Sequence, residues 1–308
     1  MDCLFEIGGR QLLVEGAPWS AGTVPANFRP FMRDCEAVAS GAMRLSVLAA
    51  PDASAGRLPQ SAPLSESFND LGRAAIHRIP SGWSIVLTPC PGEAPRVMEI
   101  DAALTSATLW LHGDADPFAD FVIDSMTRIF FSQAVALTGA LMVHASVVMC
   151  SADGKAYMFM GRSGTGKSTH SRLWLDTFAD CSLLNDDCPL IIPGPAAGRY
   201  TVCGTPWSGK THCWRDASLP LGGIARLRQA PANSFRPLSG VEAFVAFIPG
   251  MSVMTADSAL YSLASSTALD LTAAVPVGIL SCLPDADAAR LCRRSLEAMQ
   301  PNQCNQSK

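Results

Sequence analysis

The sequence predicts an α/β protein in which a β-rich N-terminal domain precedes a domain of alternating strands and helices. Residues 1–122 contain short segments in which apolar and polar side chains alternate between Gly, Pro, Ser and Asp turns. From residue 123 onwards, segments of helical and strand periodicity follow one another. In this second part a glycine-rich segment lies between an apolar strand pattern and a helical pattern. We therefore predict two domains, 1–122 and 123–308.

Four segments of the first domain predict strands: FEIGGRQLLVEG, AMRLSVLAAP, AAIHRIPSGWSIVLTP and RVMEIDAALTSATLWLHG. Within the third segment, IPSGWS predicts a hairpin turn. No constellation of catalytic residue types stands out in this domain. We expect it to support the second domain or to help bind a substrate.

The second domain begins with a predicted helix, FVIDSMTRIFFSQAVAL, followed by two predicted strands, LMVHASVVMC and KAYMFM. KSTHSRLWLDTF predicts a helix, CSLLN a strand, and CPLIIPGPAAGRYTVCG a hairpin. The final third predicts a strand around IARLRQ, helices near 240–270, the strand VPVGILSC and the helix DADAARLCRRSLEAM. We expect CSLLN to lie beside KAYMFM in a parallel sheet, so that the ends of these strands meet.

Composition and charge argue against several classes of function. The chain has 308 residues, of which 48% are hydrophobic, so it can bury a large core. The formal net charge of −4 and the lack of a basic run argue against nucleic acid as a partner. The 11 cysteines are odd in number and form no CxxC pair, which argues against a disulfide framework or a zinc site. Together with an N-terminus unlike a signal peptide, they favour a cytoplasmic location.

The apolar stretch at 130–150, FFSQAVALTGALMVHASVVMC, is long enough to cross a bilayer. It contains polar residues, among them Gln133 and His144, and its periodicity changes near Gly139. These features favour a helix followed by a buried strand, and we predict no membrane partner.

The glycine-rich loop, residues 161–168, fits the phosphate-binding pattern G-x-x-x-x-G-K-[ST] at every fixed position. Its glycines permit a tight turn whose amides point at an anion, and the following helix adds its positive end. Lys167 is expected to reach the β and γ phosphates of ATP as a catalytic residue, and the Ser168 hydroxyl to bind Mg²⁺. The alternative is a glycine turn without a ligand. The predicted nucleotide-binding residues of this segment are Gly161, Arg162, Ser163, Gly164, Thr165, Gly166, Lys167, Ser168 and Thr169.

Two adjacent carboxylates, Asp186 and Asp187, follow the predicted strand CSLLN, 186 − 167 = 19 residues after the loop lysine. Such a pair can divide two tasks, one carboxylate holding Mg²⁺ and the other taking a proton from an attacking hydroxyl. We assign Asp187 to the metal and Asp186 to the proton, with Asp186 as a further metal ligand. Which of the two is the base is open, and a solvated Asp-Asp turn is the alternative for the pair.

These motifs together resemble the P-loop kinases of the HPr kinase/phosphorylase and ATP-dependent phosphoenolpyruvate carboxykinase type. LMVHASVV places His144 at 161 − 144 = 17 residues before the loop, and SGTGKST and NDD complete the match. The resemblance implies the fold of that kinase group for the second domain, behind the β-rich first domain. For His144 it implies a catalytic role in metal contact or acid/base chemistry. The alternative is a core histidine satisfied on a buried strand.

A softer resemblance extends further along the chain. YTVCGTPWSGKT and LGGIARLRQAPANSFRPLSGVEAF look like bacterial HPr-kinase-related proteins that are found with peptide-modification genes. It implies that Lys210 approaches the phosphates or the acceptor, with a surface lysine as the alternative. Arg199, Arg226 and Arg228 are candidates for phosphate contacts, although solvated arginines are commoner. The chain departs from HPr kinases at Thr169, where they carry an acidic residue, and it lacks their arginine-rich downstream loop.

The predicted function is therefore that of an ATP- and Mg²⁺-dependent kinase. The acceptor is a hydroxyl group on a serine of a protein or peptide, or on a small molecule. A non-catalytic ATP-binding sensor or scaffold is the alternative, and a carboxykinase is less favoured because the chain is far shorter than that family. A homo-oligomer is compatible with the resemblance, and the sequence leaves the oligomeric state open.

Overall fold

The structure, a computed structural model, describes residues 1–50, 55–69, 72–113, 115–194, 196–209 and 211–300. It is a mixed α/β protein with two large mixed sheets and few helices. The chain divides into two compact units, one formed by Met1–Thr138 with Met254–Tyr261, the other by Gly139–Val253 with the residues from Ser262 onwards.

The sheet of the first unit has nine strands among the described residues, and its order is β3-β1-β2-β4-β9-β8-β7-β6-β5. The strands are β1 Cys3–Ile7, β2 Arg10–Glu15, β3 Met32–Arg33, β4 Met43–Ala50, β5 Ser65–Asn69, β6 Gly72–Ile79, β7 Gly82–Thr88, β8 Arg96–Asp101 and β9 Ser106–His112. The predicted hairpin at IPSGWS is confirmed, because β6 and β7 pair in antiparallel register around it. Gly82 is required there, since a Cβ atom would lie 2.1 Å from the carbonyl oxygen of Ile100.

Helix α1, Ala119–Ala136, belongs to the first unit and packs on β4, β7, β8 and β9. Its buried face includes Val122, Met126 and Phe130. The unit boundary therefore follows Thr138, whereas the prediction placed this helix after a boundary at 122. The two boundaries differ because tertiary packing assigns the helix to a unit. Periodicity predicts an amphipathic helix but does not specify which sheet its apolar face covers.

The stretch at 130–150 forms the end of α1 and then two short strands, as its change of period predicts. Among the residues that the structure describes, none of the helices combines the length and the apolar character needed to cross a membrane.

The second unit contains β10 Leu141–Met142, β11 Ala145–Cys150, β12 Lys155–Met160, β13 Cys181–Asn185, β14 Leu190–Pro193, β15 Tyr200–Cys203, β16 Ser218–Gln229, β17 Ser234–Leu238 and β18 Val277–Cys282. Its helices are α2 Lys167–Thr177, α3 Gly240–Phe247, α5 Ala286–Ala298 and most of α4 Ser258–Ala274. The sheet order is β10-β14-β15-β16-β12-β11-β13, and β18 pairs with both β16 and β17.

The core of the second unit lies on both faces of this sheet, because successive residues of each strand point to opposite sides. Met158 and Met160 of β12 pack in one apolar cluster with Phe247 of α3. Tyr157 and Phe159 pack in the other cluster with Trp174 of α2. Buried on both faces, the strand that leads into the glycine-rich loop is held rigidly.

The prediction that CSLLN lies next to KAYMFM is wrong. Strand β11 lies between them and pairs in antiparallel register with both β12 and β13. Strands β12 and β13 consequently run in the same direction without touching, and the beginning of β11 meets their C-terminal ends. We call this the site edge of the sheet, because it carries His144, the glycine-rich loop and the aspartate pair. At the opposite edge, a disulfide joins Cys150 to Cys181, so the expectation of reduced thiols does not hold for this pair.

Candidate active site

The glycine-rich loop connects β12 to α2 at the site edge. Gly164 and Gly166 have φ angles of +77° and +102°, in the left-handed region that favours glycine. Between them, the backbone N–H and the hydroxyl of Thr165 both donate to the carbonyl of Arg162, at 3.1 and 2.6 Å. Helix α2 begins at Lys167, and its first turn leaves backbone N–H groups at this end. The loop thus combines left-handed glycines with the start of a helix, an arrangement that can present backbone amides to an anion.

The predicted loop residues differ in their exposure. Arg162, Ser163, Gly164, Ser168 and Thr169 are exposed, whereas Gly161, Thr165, Gly166 and Lys167 are half-buried. Exposed polar groups around a half-buried lysine leave the loop accessible to a ligand from solvent.

Three charged or titratable side chains form a hydrogen-bonded chain beside the loop. Lys167 Nζ lies 2.8 Å from His144 Nε2, and His144 Nδ1 lies 2.9 Å from Asp187 Oδ1. An ammonium group can only donate, so Nε2 accepts and the imidazole proton sits on Nδ1, where it is donated to the carboxylate. Burial lowers the pKa of Lys167, and the negative charges of Asp187 and Asp186 oppose this shift.

The backbone explains why His144 reaches this position. Its N–H donates to the carbonyl of Gly250 at 2.7 Å, and the next N–H, that of Ala145, donates to the carbonyl of Asp187 at 3.0 Å. The histidine therefore lies beside the aspartate pair because β11 is paired with β13. The sequence alternative, a satisfied core histidine, does not describe this side chain, which is about 43% exposed.

Asp186 is 8% exposed, and its two carboxylate oxygens have different surroundings. Oδ2 accepts a hydrogen bond from the hydroxyl of Thr211 at 2.5 Å, whereas Oδ1 is buried without a hydrogen-bond partner among the described residues. A buried acceptor without a donor costs about 1–3 kcal/mol. A cation or a hydroxyl group brought by a ligand would remove that cost.

Asn185 and Ser208 hold the aspartate pair in place, and sequence reasoning did not identify either as a site residue. The fully buried Asn185 amide donates to the carbonyls of Thr205 and Trp207, at 3.3 and 3.1 Å. Its Oδ1 accepts from the backbone N–H of Asp187 at 3.0 Å. Ser208 Oγ accepts from the N–H of Asp186 at 3.3 Å. The asparagine directly before the pair is the available sequence signal, because asparagine side chains commonly bond the backbone two residues on.

The segment after β15 closes over the aspartates. A Cβ atom at Gly209 would lie 3.1 Å from the carbonyl oxygen of Asp186, a tight contact that glycine avoids. Lys210, the next residue, lies outside the described residues, and its role stays a prediction. Its neighbour Thr211 is the residue that bonds Asp186.

The predicted Mg²⁺ ligands, Ser168, Asp186 and Asp187, supply oxygen atoms only, which suits a hard cation. They do not form a preformed cage; among the described residues, the compact metal-type group is Cys150, Asp180 and Cys181 at the opposite edge. These three side chains already have other partners: the two cysteines form the disulfide, and Asp180 pairs with Arg293. Magnesium usually takes one or two carboxylates and completes its shell with phosphates and water. The unpaired Oδ1 of Asp186 fits such a cation.

Comparison with known proteins leaves the family open. Neither a protein-family model nor a curated protein matches this chain. Among solved structures, the Hpr(Ser) kinase/phosphatase from Coxiella burnetii matches with a TM-score of 0.31 and 14% sequence identity. The match covers 52% of this chain and 99% of that chain. This likeness is weak and identifies neither the family nor the chemistry of the site.

Proposed function

We propose that the chain is an ATP-dependent kinase that transfers the γ-phosphoryl group of Mg–ATP to a hydroxyl group. The observation that carries this proposal is the meeting, at one sheet edge, of the glycine-rich loop, the Lys167–His144–Asp187 chain and a buried carboxylate with an unpaired oxygen. Phosphoryl transfer needs a phosphate cradle, oxygen ligands for a cation and a proton acceptor, and these groups would supply one of each.

The phosphate chain would lie on the loop, where the left-handed glycines and the first turn of α2 present backbone amides. Lys167, the first residue of α2, would lie beside the β and γ phosphates and offset part of their negative charge. Its ammonium group is held by His144 Nε2 and by the carbonyl of Gly161, at 2.8 and 3.2 Å. These neutral acceptors keep the lysine at the loop without neutralising its charge.

Magnesium would be held by the hydroxyl of Ser168 and by the carboxylate of Asp187. Asp186 has a single oxygen without a partner among the described residues, and that oxygen is reserved for the acceptor proton. The ion, when bound, would offset negative charge on the transferring group. Asp187 is oriented by His144, whose N–H donates to Oδ1. Orientation of a metal-binding carboxylate by such a donor commonly affects metal affinity or activity.

Asp186 is the proposed base for the acceptor hydroxyl. Thr211 occupies one of its oxygens and leaves the other without a donor, which an incoming O–H would provide. Because a general base must be within hydrogen-bond reach of its proton, the acceptor hydroxyl has to enter the buried position of this oxygen. The acceptor itself is not identified by these residues.

The direct test is incubation of the purified chain with Mg²⁺ and ATP labelled at the γ-phosphate, together with an extract of its source organism. We expect a labelled acceptor, which mass spectrometry would identify, and no label with Lys167→Ala. Lys155→Ala is the matched control, since Lys155 lies at the start of β12, at the end away from the loop, and bonds Gln300. Wild-type protein that binds ATP but labels no acceptor would overturn the kinase and leave a nucleotide-binding protein.

A further inference from the structure

A groove of about 480 Å³ lies beside the glycine-rich loop, between the loop and the C-terminal end of β16. Three arginines line it: Arg162 comes from the loop, and Arg226 and Arg228 come from the strand. Strand β16 is the parallel neighbour of β12, with Arg226 in register with Met160 at the strand end. Ligands of α/β sheets commonly bind at the carboxyl ends of parallel strands.

Among the described residues, the arginines of this groove have no carboxylate partner. Arg162 and Arg228 are exposed and make no side-chain hydrogen bond or ion pair within the part of the chain that the structure describes. Arg226 donates to the backbone carbonyl of Ala246 at 2.6 Å. Burial lowers the pKa of Arg226, and the positive charges of Arg228 and Arg162 lower it further. Three neighbouring cations repel one another, so an anion bound among them would stabilise all three.

The position of the groove decides which anion this is. The aspartate pair and His144 lie on the β11 and β13 side of β12, and the groove lies on the β16 side. In the proposed kinase the γ-phosphate has to lie at Asp186, because the acceptor hydroxyl is deprotonated there. The nucleoside end of ATP then extends in the other direction, across the loop and towards β16.

We propose that this arginine groove binds the α-phosphate of the donor nucleotide. The proposal rests on the proposed function, since it assumes a triphosphate on the loop. The loop then holds the β and γ phosphates, and the groove holds the α-phosphate. Arginine suits this task because its planar group makes two parallel hydrogen bonds to a phosphate.

The test measures binding of Mg–AMP-PNP, an ATP analogue that resists transfer, by calorimetry with four proteins: wild type, Arg228→Ala, Arg162→Ala and Arg294→Ala. Arg294 is an exposed arginine of α5, outside the groove, and controls for loss of one positive charge. We expect Arg228→Ala and Arg162→Ala each to weaken binding by about tenfold or more, as for a lost charge-assisted hydrogen bond, and Arg294→Ala to stay within about twofold.

Phosphorus NMR of the bound analogue identifies the phosphate concerned. Arg228→Lys, which keeps the charge but not the planar group, should shift the α-phosphorus resonance and leave the γ resonance in place. Equal affinity of all four proteins, or a shift confined to the γ resonance, would overturn the groove assignment while the kinase proposal stands. Failure of the wild-type protein to bind the analogue would instead remove the proposed function.

Discussion

In the second unit, charged side chains at the sheet edge opposite the site are paired, whereas several at the site edge lack such partners among the described residues. At the edge opposite the site, Arg293 binds Asp180 through two hydrogen bonds of 3.0 and 3.1 Å and lies over the ring of Phe178. Tyr157 donates to Asp153 at 2.5 Å, and Cys150 is bonded to Cys181. At the site edge, Asp186 Oδ1, Arg162 and Arg228 have no such partner among the described residues.

The difference separates groups that hold the fold together from groups kept ready for a ligand. Burial and repulsion at the site edge cost stability, which a protein tolerates when a ligand supplies the missing partners. Substitutions at the opposite edge should therefore change stability and leave catalysis alone. Substitutions at the site edge should lower catalysis without lowering stability.

The largest expected effect comes from Asp186→Asn, which keeps the shape of the side chain but removes the proposed base. We expect kcat to fall about 10³-fold with little change in the free energy of unfolding. Asp180→Asn is the matched variant at the opposite edge and should retain kcat. Labelled-ATP turnover and urea denaturation of both variants measure the contrast, and full activity of Asp186→Asn would break it.

His170 provides a further comparison, because it lies near the loop but is only 3% exposed. A ligand therefore cannot reach it. Trp174 donates to its Nε2, its Nδ1 has no hydrogen-bond partner among the described residues, and burial lowers its pKa to about 4. Between pH 6.5 and 4 the unfolded chain takes up a proton that the folded chain does not, so stability is lost as the pH falls. We expect a loss of about 3 kcal/mol over that range.

Urea denaturation at a series of pH values measures this dependence. His170→Gln should flatten it, whereas substitution of the exposed His212 by Asn should leave it unchanged. An identical pH profile for His170→Gln and the wild type would show that this histidine is not the group responsible.

Substitution of Thr211 tests whether the orientation of the Asp186 carboxylate, rather than its charge, affects turnover. Thr211→Val removes the hydroxyl that holds Asp186 Oδ2, and we expect kcat to fall about 10- to 100-fold. Nucleotide affinity should be unchanged, since the hydroxyl bonds the base and not the loop. Thr211→Ser keeps the hydroxyl and should restore most of the rate; a Ser variant as slow as the Val variant would contradict this role.

The smallest effect is expected for Arg293→Ala at the opposite edge. Its pair with Asp180 is partly exposed, so we expect a loss of about 1 kcal/mol in unfolding free energy, partly from lost packing on Phe178. Turnover should remain at the wild-type rate. A loss of kcat comparable with that of Thr211→Val would show that the two edges are not independent.

Much of the local structure was predictable from the sequence, but the glycine-rich loop and the arginine groove differ in how far prediction reached. The glycine-rich loop, the strand before it and the helix after it follow from local rules, namely left-handed glycines and a change of period. The groove was not predictable in the same way. Arg226 and Arg228 look like any arginines of an exposed strand end, and their meeting with Arg162 depends on the pairing of β16 with β12.

The sequence by itself determined the elements that neighbouring residues specify: a turn at residues 161–168, a strand that ends at Asn185, and two carboxylates directly after it. The tertiary structure decided that β11 lies between β12 and β13, which brings His144 within hydrogen-bond distance of both Lys167 and Asp187. The physical reason is that strand order is set by packing and pairing over long sequence separations. Local periodicity specifies that a strand forms, whereas the rest of the fold selects its neighbour.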